Sequence, residues 1–168
     1  MVKPGGEKGW YYFNLVVLIL FAGLRYRVGG DTLIYMSMFY EWPKLDELKY
    51  FDFTTASYNP LWYIFAALAR SIYDDFATLQ IMHAVIVNCT FFWFFRKYCP
   101  KYYFSAILLY YVGYFCYFNM EVMRESLCIC VLLLSTSFLL EKKWLLYFPM
   151  CVIGLLTHYS AAIMLVLP

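Results

Sequence analysis

The chain has 168 residues, 64% of them apolar, 23% aromatic and only 14% charged, with a net charge of +2 and a mean hydropathy of +0.64. A soluble globular domain carries about 25% charged residues, so the deficit excludes a soluble enzyme with a large core and indicates an all-α, polytopic transmembrane helix bundle. So small a net charge, with no basic patch, also excludes nucleic acid as a partner.

In chain order, the first residues, Met-Val-Lys-Pro-Gly-Gly-Glu-Lys, resemble a signal peptide only loosely. The run behind them is interrupted by Asn14 and lacks a small-residue cleavage site, so it reads as a retained helix. A membrane span needs roughly 20 apolar residues. The runs that approach this are 9–24, 58–73, 76–95, 102–118, 122–140 and 144–167, which gives an expectation of about six spans. Trp10, Trp62, Tyr102, Tyr103 and Trp144 stand at run ends, where amphipathic rings sit at headgroup depth. The whole of 1–168 reads as a single membrane domain.

The one long connection, 25–57, is the polar loop of the chain. Its segment Thr32 to Trp42 is apolar and aromatic and is ended by Pro43, which predicts an interfacial helix lying on the bilayer. Asn59-Pro60 then opens the second run, with proline near the first helical position, where its missing N–H costs nothing. Orientation is in conflict. Arg96, Lys97, Lys101, Lys142 and Lys143 favour the cytoplasm. Strict alternation of six spans then puts 25–57 inside as well. If Arg25–Asp31 and Arg124 share a face, one run must be a re-entrant hairpin or a pair.

Unusual chemistry concentrates in Arg25-Tyr-Arg-Val-Gly-Gly-Asp-Thr-Leu-Ile-Tyr35. Gly29 and Gly30 allow a sharp turn and close backbone approach, and Arg25 and Arg27 are planar forks suited to phosphate. Asp31 is either the N-cap of the next helix or a catalytic carboxylate. Arg124 is either paired at i,i+3 with Glu121 or a clamp on a lipid-linked phosphate. His158, between Thr157 and Tyr159, either glues helices together or serves as a general base or a donor to a leaving phosphate. His83 reads as a packing residue. Asp74-Asp75 reads as a solvated turn, with a divalent cation as the sharper alternative, and Asp46-Glu47 is weaker still. The six cysteines lie in or beside apolar runs and read as small hydrophobes, with no disulfide framework. No Walker loop, His-Glu-x-x-His or Gly-x-Ser-x-Gly occurs.

The order of these segments resembles the EpsG family, Wzy-like membrane proteins of bacterial exopolysaccharide assembly. The matching residues are Gly29, Asp31 and Tyr35, then Met123 and Arg124, then His158, Ser160 and Ala161, with Arg25 or Arg27 as the family arginine. Glu125 departs from the pattern, standing where glutamine is commoner. The family is usually about twice this length, so the resemblance covers its N-terminal half, and the chain reads as part of a longer polytopic protein.

The resemblance implies a polymerase in the bacterial cytoplasmic membrane that transfers glycosyl groups from polyprenyl-diphosphate-linked oligosaccharides at the outer face. The implied partners are that lipid, the bilayer and other polysaccharide-assembly membrane proteins. No cofactor or metal is implied, because the lipid carrier brings an activated sugar. Arg25, Arg27 and Arg124 would bind the diphosphate, Asp31 and His158 are the candidate bases, and Tyr35 would offer a surface to sugar rings. A transporter or flippase of lipid-linked saccharides and a non-catalytic scaffold of a polysaccharide synthase are the rival readings.

Overall fold

In the computed structural model, which describes residues 6–167, each of the predicted apolar runs contains a helix and the polar loop contains one more. The helices are α1 (Gly6–Gly23), α2 (Gly30–Met38), α3 (Pro60–Ile72), α4 (Phe76–Tyr98), α5 (Tyr103–Gly113), α6 (Met123–Leu140) and α7 (Trp144–Thr157). Helix makes up 78% of the structure, with no strand among the described residues. Residues 1–5 of the leader-like start, and Pro168, lie outside that description.

The expected six spans meet a length test that most of them do not pass. Only α4, at 23 residues, and α6, at 18, are both long and apolar enough to cross a membrane. The 13 residues of α3 rise about 20 Å, at roughly 1.5 Å per residue, against a hydrocarbon layer of about 30 Å. The run 102–118 is broken after Gly113 and resumes as a π-helical turn, Tyr117–Glu121. The run 144–167 is broken at His158, whose backbone is extended. A 3-10 segment, Tyr159–Leu165, then doubles back along α7, where the Tyr147 hydroxyl donates to the Met164 carbonyl. Gly154 permits this return, since a Cβ there would press on Ala161 and Met164.

Local chemistry sets the ends. Pro60 occupies the first turn of α3 behind Asn59, as its position in the sequence predicts. The Asn59 side chain is used elsewhere, donating to the Leu155 carbonyl at 3.0 Å. Asp75 caps α4 by accepting from the Ala77 amide at 2.7 Å. Asp74 takes Lys44 at 2.7 Å and Arg70 at 2.8 Å, which hold its carboxyl down to about 2. Both members of the acidic pair are therefore engaged by the fold, and the described residues contain no cluster able to hold a metal ion.

Antiparallel packing of α1 and α4 fixes two ends of the bundle. Gly23 lies against Ile81 at one end, and at the other Tyr11 packs on Phe92 and carries Arg96 over its ring at 4.9 Å. Lys97 reaches Glu141 at 3.9 Å, so the basic connections after α4 and α6 share this second end. The start of α6 meets α4 at the first end, through His83 and Ser126. Both ends of α3 also contact the polar loop there: Trp62 sits 4.8 Å from Tyr35, and Arg70 donates to the Trp42 carbonyl. It is α3, then, that enters and leaves at one end, and strict alternation of six runs does not hold.

Within the loop, α2 ends at Met38, and a 3-10 turn, Phe39–Glu41, carries the chain to Trp42 and Pro43. Thr32, Tyr35, Phe39 and Trp42 are buried, in an aromatic cluster with Tyr58, Trp62 and Tyr63. Leu33, Ile34 and Tyr40 remain exposed on the opposite side. The segment expected to lie on the bilayer thus has one face on protein and an apolar face turned outward.

Candidate functional site

The loop after α1 docks on the turn before α6, roughly ninety positions later in the chain. Gly29, at φ 97°, brings the backbone so close to Met120 that any Cβ would collide with its carbonyl oxygen. The Gly30 amide donates to Glu121 Oε2 at 2.9 Å, and the Thr32 hydroxyl donates to the Met120 carbonyl at 3.2 Å. The Met123 amide donates to Asp31 Oδ2 at 3.2 Å. Met123 opens α6, so Asp31 caps the distant helix rather than its own, satisfying one of the N–H groups that a helix start leaves free. Burial pushes the Asp31 carboxyl above the usual carboxylate range, against the opposing pull of the Tyr35 hydroxyl, the Met123 amide and Arg124.

The arginines separate into different environments. Arg25 is 9% exposed and spends its donors on protein: Nη2 to Thr32 Oγ1 at 2.9 Å, Nε to the same oxygen at 3.3 Å, and Nη1 to the Ala22 carbonyl. Burial lowers its guanidinium to about 10, with Glu121 acting the other way, so it stays charged at neutral pH as a post under the loop. Arg27 is exposed, at φ 54°, with its guanidinium over the Tyr26 ring, and makes no described contact with the docked segments.

Arg124 is half-buried. Its Nε donates to the Tyr35 hydroxyl at 2.8 Å, and its guanidinium lies 4.4 Å from the centre of the Tyr58 ring. Of the two readings of Arg124, the pairing with Glu121 does not form: Glu121 accepts from the Gly30 amide instead. Among the described residues no carboxylate pairs with Arg124, and its two terminal nitrogens have no protein acceptor.

Tyr35 stands between the two charged groups. It is 2% exposed, so it braces Arg124 and Asp31 and presents no face to a sugar ring. Its phenol is pushed up to about 12, chiefly by burial. His158 lies on the Arg124 side of α6: the Ser160 hydroxyl reaches both His158 Nδ1, at 2.8 Å, and Cys128 Sγ, at 3.7 Å. Cys128 is one turn along α6 from Arg124, and His158 is within electrostatic reach of Arg124, Glu125 and Asp31. The site residues expected from sequence therefore gather at one end of the bundle, with Arg27 turned onto Tyr26 rather than toward the docked segments.

Residues outside the expected site also hold it in place, among them His83, which the sequence marks as a packing residue. His83, fully buried, donates through Nε2 to the Met123 carbonyl at 3.0 Å and meets Ser126 Oγ at 2.8 Å, so it holds the start of α6. Asn88, Tyr110 and Asn119 form a buried ring of hydrogen bonds that ties the π-helical turn to α4 and α5. Two amides in apolar runs were the available signal.

The model of the EpsG family matches residues 9–168. The chain belongs to the EpsG family. No curated protein and no solved structure matches it. EpsG membership carries with it a role in polysaccharide biosynthesis, and the two long apolar helices agree with a membrane location.

Proposed function

We propose that this EpsG-family chain polymerises lipid-diphosphate-linked sugars at the outer face of the bacterial cytoplasmic membrane. In the transfer, the bond from the donor sugar's anomeric carbon to the diphosphate oxygen breaks, and a bond to an acceptor hydroxyl forms. Asp31 takes the hydroxyl proton, and the diphosphate leaves with its developing charge against Arg124. The observation that carries this reading is the half-buried Arg124, oriented by Tyr35 beside Asp31 while its terminal nitrogens remain free of protein acceptors. An arginine fork held in this way suits a phosphate bidentately.

Orientation supports the same reading. With α3 dipping in from the site end, α1, α4, α5 with its π-helical turn, α6 and α7 alternate across a multi-pass bundle. Arg96, Lys97, Lys101, Lys142 and Lys143 then fall together at the end opposite the site, and the positive-inside rule assigns that end to the cytoplasm. That placement removes the conflict met in the sequence and supports an outward-facing site.

The test is elongation of a polyprenyl-diphosphate-linked oligosaccharide by the purified protein in proteoliposomes. Arg124→Ala and Arg124→Lys should each lower turnover about 100-fold, the scale for losing one preorganised charge-stabilising donor. Unchanged glycan length in both variants removes Arg124 from the mechanism. Substrate movement without elongation in the wild type assigns the chain to transport instead.

A further inference from the structure

His158 ends α7 in an extended conformation and caps the 3-10 segment behind it: the Ser160 backbone amide donates to His158 Nδ1 at 3.3 Å. A backbone N–H can only donate, so Nδ1 must present its lone pair. Were Nδ1 protonated, two hydrogens would face one another across that contact. The Ser160 hydroxyl, also on Nδ1 at 2.8 Å, has Cys128 Sγ as its second partner and accommodates either role. The amide therefore decides the tautomer. Neutral His158 carries its proton on Nε2, and its one lone pair is already occupied by its own chain.

We propose that His158 serves as a hydrogen-bond donor through Nε2–H to an oxygen of the departing diphosphate, sharing that group with Arg124, and that it is not the base. This deepens the polymerase reading and rests on it. A base at Nε2 would need a lone pair there, which requires the ring to give up its hold on the Ser160 amide. It would also create an imidazolium within reach of the Arg124 charge, with Glu125 and Asp31 as the opposing groups. As a donor, the neutral ring needs no proton exchange and no movement. The return of the 3-10 segment along α7 and the contact of Ser160 with Cys128 place it on the face of α6 that bears Arg124. Proton removal then belongs to Asp31 alone, whose carboxylate has no competing role as a donor.

Two measurements decide the matter. The chain has only two histidines, so the nitrogen NMR spectrum of detergent-solubilised, histidine-labelled protein resolves each ring. His158 is assigned by its proximity to the Tyr159 ring, 4.2 Å away between centroids. The expected spectrum shows a bare Nδ1 and a protonated Nε2 at neutral pH. A protonated Nδ1, in a neutral or a charged ring, overturns the proposal without recourse to any variant.

In the elongation assay, His158→Gln places an amide N–H near the position of Nε2, whereas His158→Asn places its amide near Nδ1. The glutamine variant should stay within about tenfold of wild type, and the asparagine and alanine variants should fall about 100-fold, the scale of one donor. An equal loss in the glutamine and asparagine variants, with both melting like wild type, identifies a base and overturns the proposal. Wild-type protein that makes no glycan overturns the polymerase reading and the donor role with it, whereas a wild type that elongates while its spectrum shows a protonated Nδ1 overturns the donor role alone.

Discussion

Asp31 performs two duties that pull its acidity in opposite directions. As a cap on α6 it must be an acceptor for the Met123 amide, which favours the ionised form. As a half-buried carboxyl it resists ionisation, and burial is the larger effect, so its affinity for the proton rises on folding. Between the ordinary carboxylate value and the raised one, the folded chain binds more protons than the unfolded chain. This group's contribution to stability therefore falls as pH rises through that window. The proposed transfer has the reverse dependence, since only the ionised form of Asp31 would accept the hydroxyl proton. The acid limb of the elongation rate should lie above the free aspartate value of about 3.9. Asp31→Asn should lose about 100-fold or more in rate while melting within a few degrees of wild type, because its amide oxygen still accepts from Met123. A limb at the free aspartate value, recorded as rate against pH on the purified protein, shows that another group is the base.

At the scale of elements, the π-helical turn Tyr117–Glu121 decides whether the site assembles. One extra residue in the turn is how a helix re-aims its carbonyls, and here Met120 and Glu121 receive Thr32 and Gly30. The turn is anchored by Asn119, whose Nδ2 donates to the Phe115 carbonyl and the Tyr110 hydroxyl, both at 2.9 Å, and whose Oδ1 accepts from Asn88 at 2.9 Å. Tyr110 closes the ring on Asn88 Oδ1 at 3.2 Å. Asn119→Ala leaves Asn88 Nδ2 with the Ala84 carbonyl alone and the Tyr110 hydroxyl with Asn88 alone, at about 1 kcal/mol for each hydrogen bond lost. The variant should melt several degrees lower in detergent, at roughly 2–4 °C per kcal/mol for a chain of this size, and should lose elongation activity alongside. A melting curve that superimposes on wild type contradicts the anchoring role. In the sequence the run up to Phe118 is almost wholly apolar, and Asn119 and Glu121 at its end do not by themselves distinguish the break after Gly113 from an uninterrupted span.

For the molecule as a whole, the behaviour of α3 sets the topology. Asn59 is tied to Leu155 near its start, and Arg70, Asp74 and Lys44 are joined beyond its end, so a helix of about 20 Å begins and finishes on the side of the polar loop. Six alternating spans would put residues 46 and 142 on the same side of the membrane, whereas the proposed orientation, with α3 entering and leaving at one end, puts them on opposite sides. In a cysteine-free background on intact cells, a membrane-impermeant maleimide should label Asp46→Cys and leave Lys142→Cys unlabelled until the cells are opened. Labelling of both, or of neither, restores α3 as a crossing and turns the orientation argument over.

The all-helical class, the place of each long helix, the Asn59-Pro60 start of α3 and the family motifs were legible in the sequence. Apolar runs, prolines and caps act through neighbours a few residues apart, and a motif is itself a local string. The meeting of Asp31 with the start of α6, the burial of Arg25, the release of Arg124 from Glu121 and the turning back of the last run were decided only by tertiary structure. Each depends on a contact between segments far apart in the chain, or on which way a short helix is laid. Hydropathy measures how much a run wants to leave water, and carries no information about what it will find beside it.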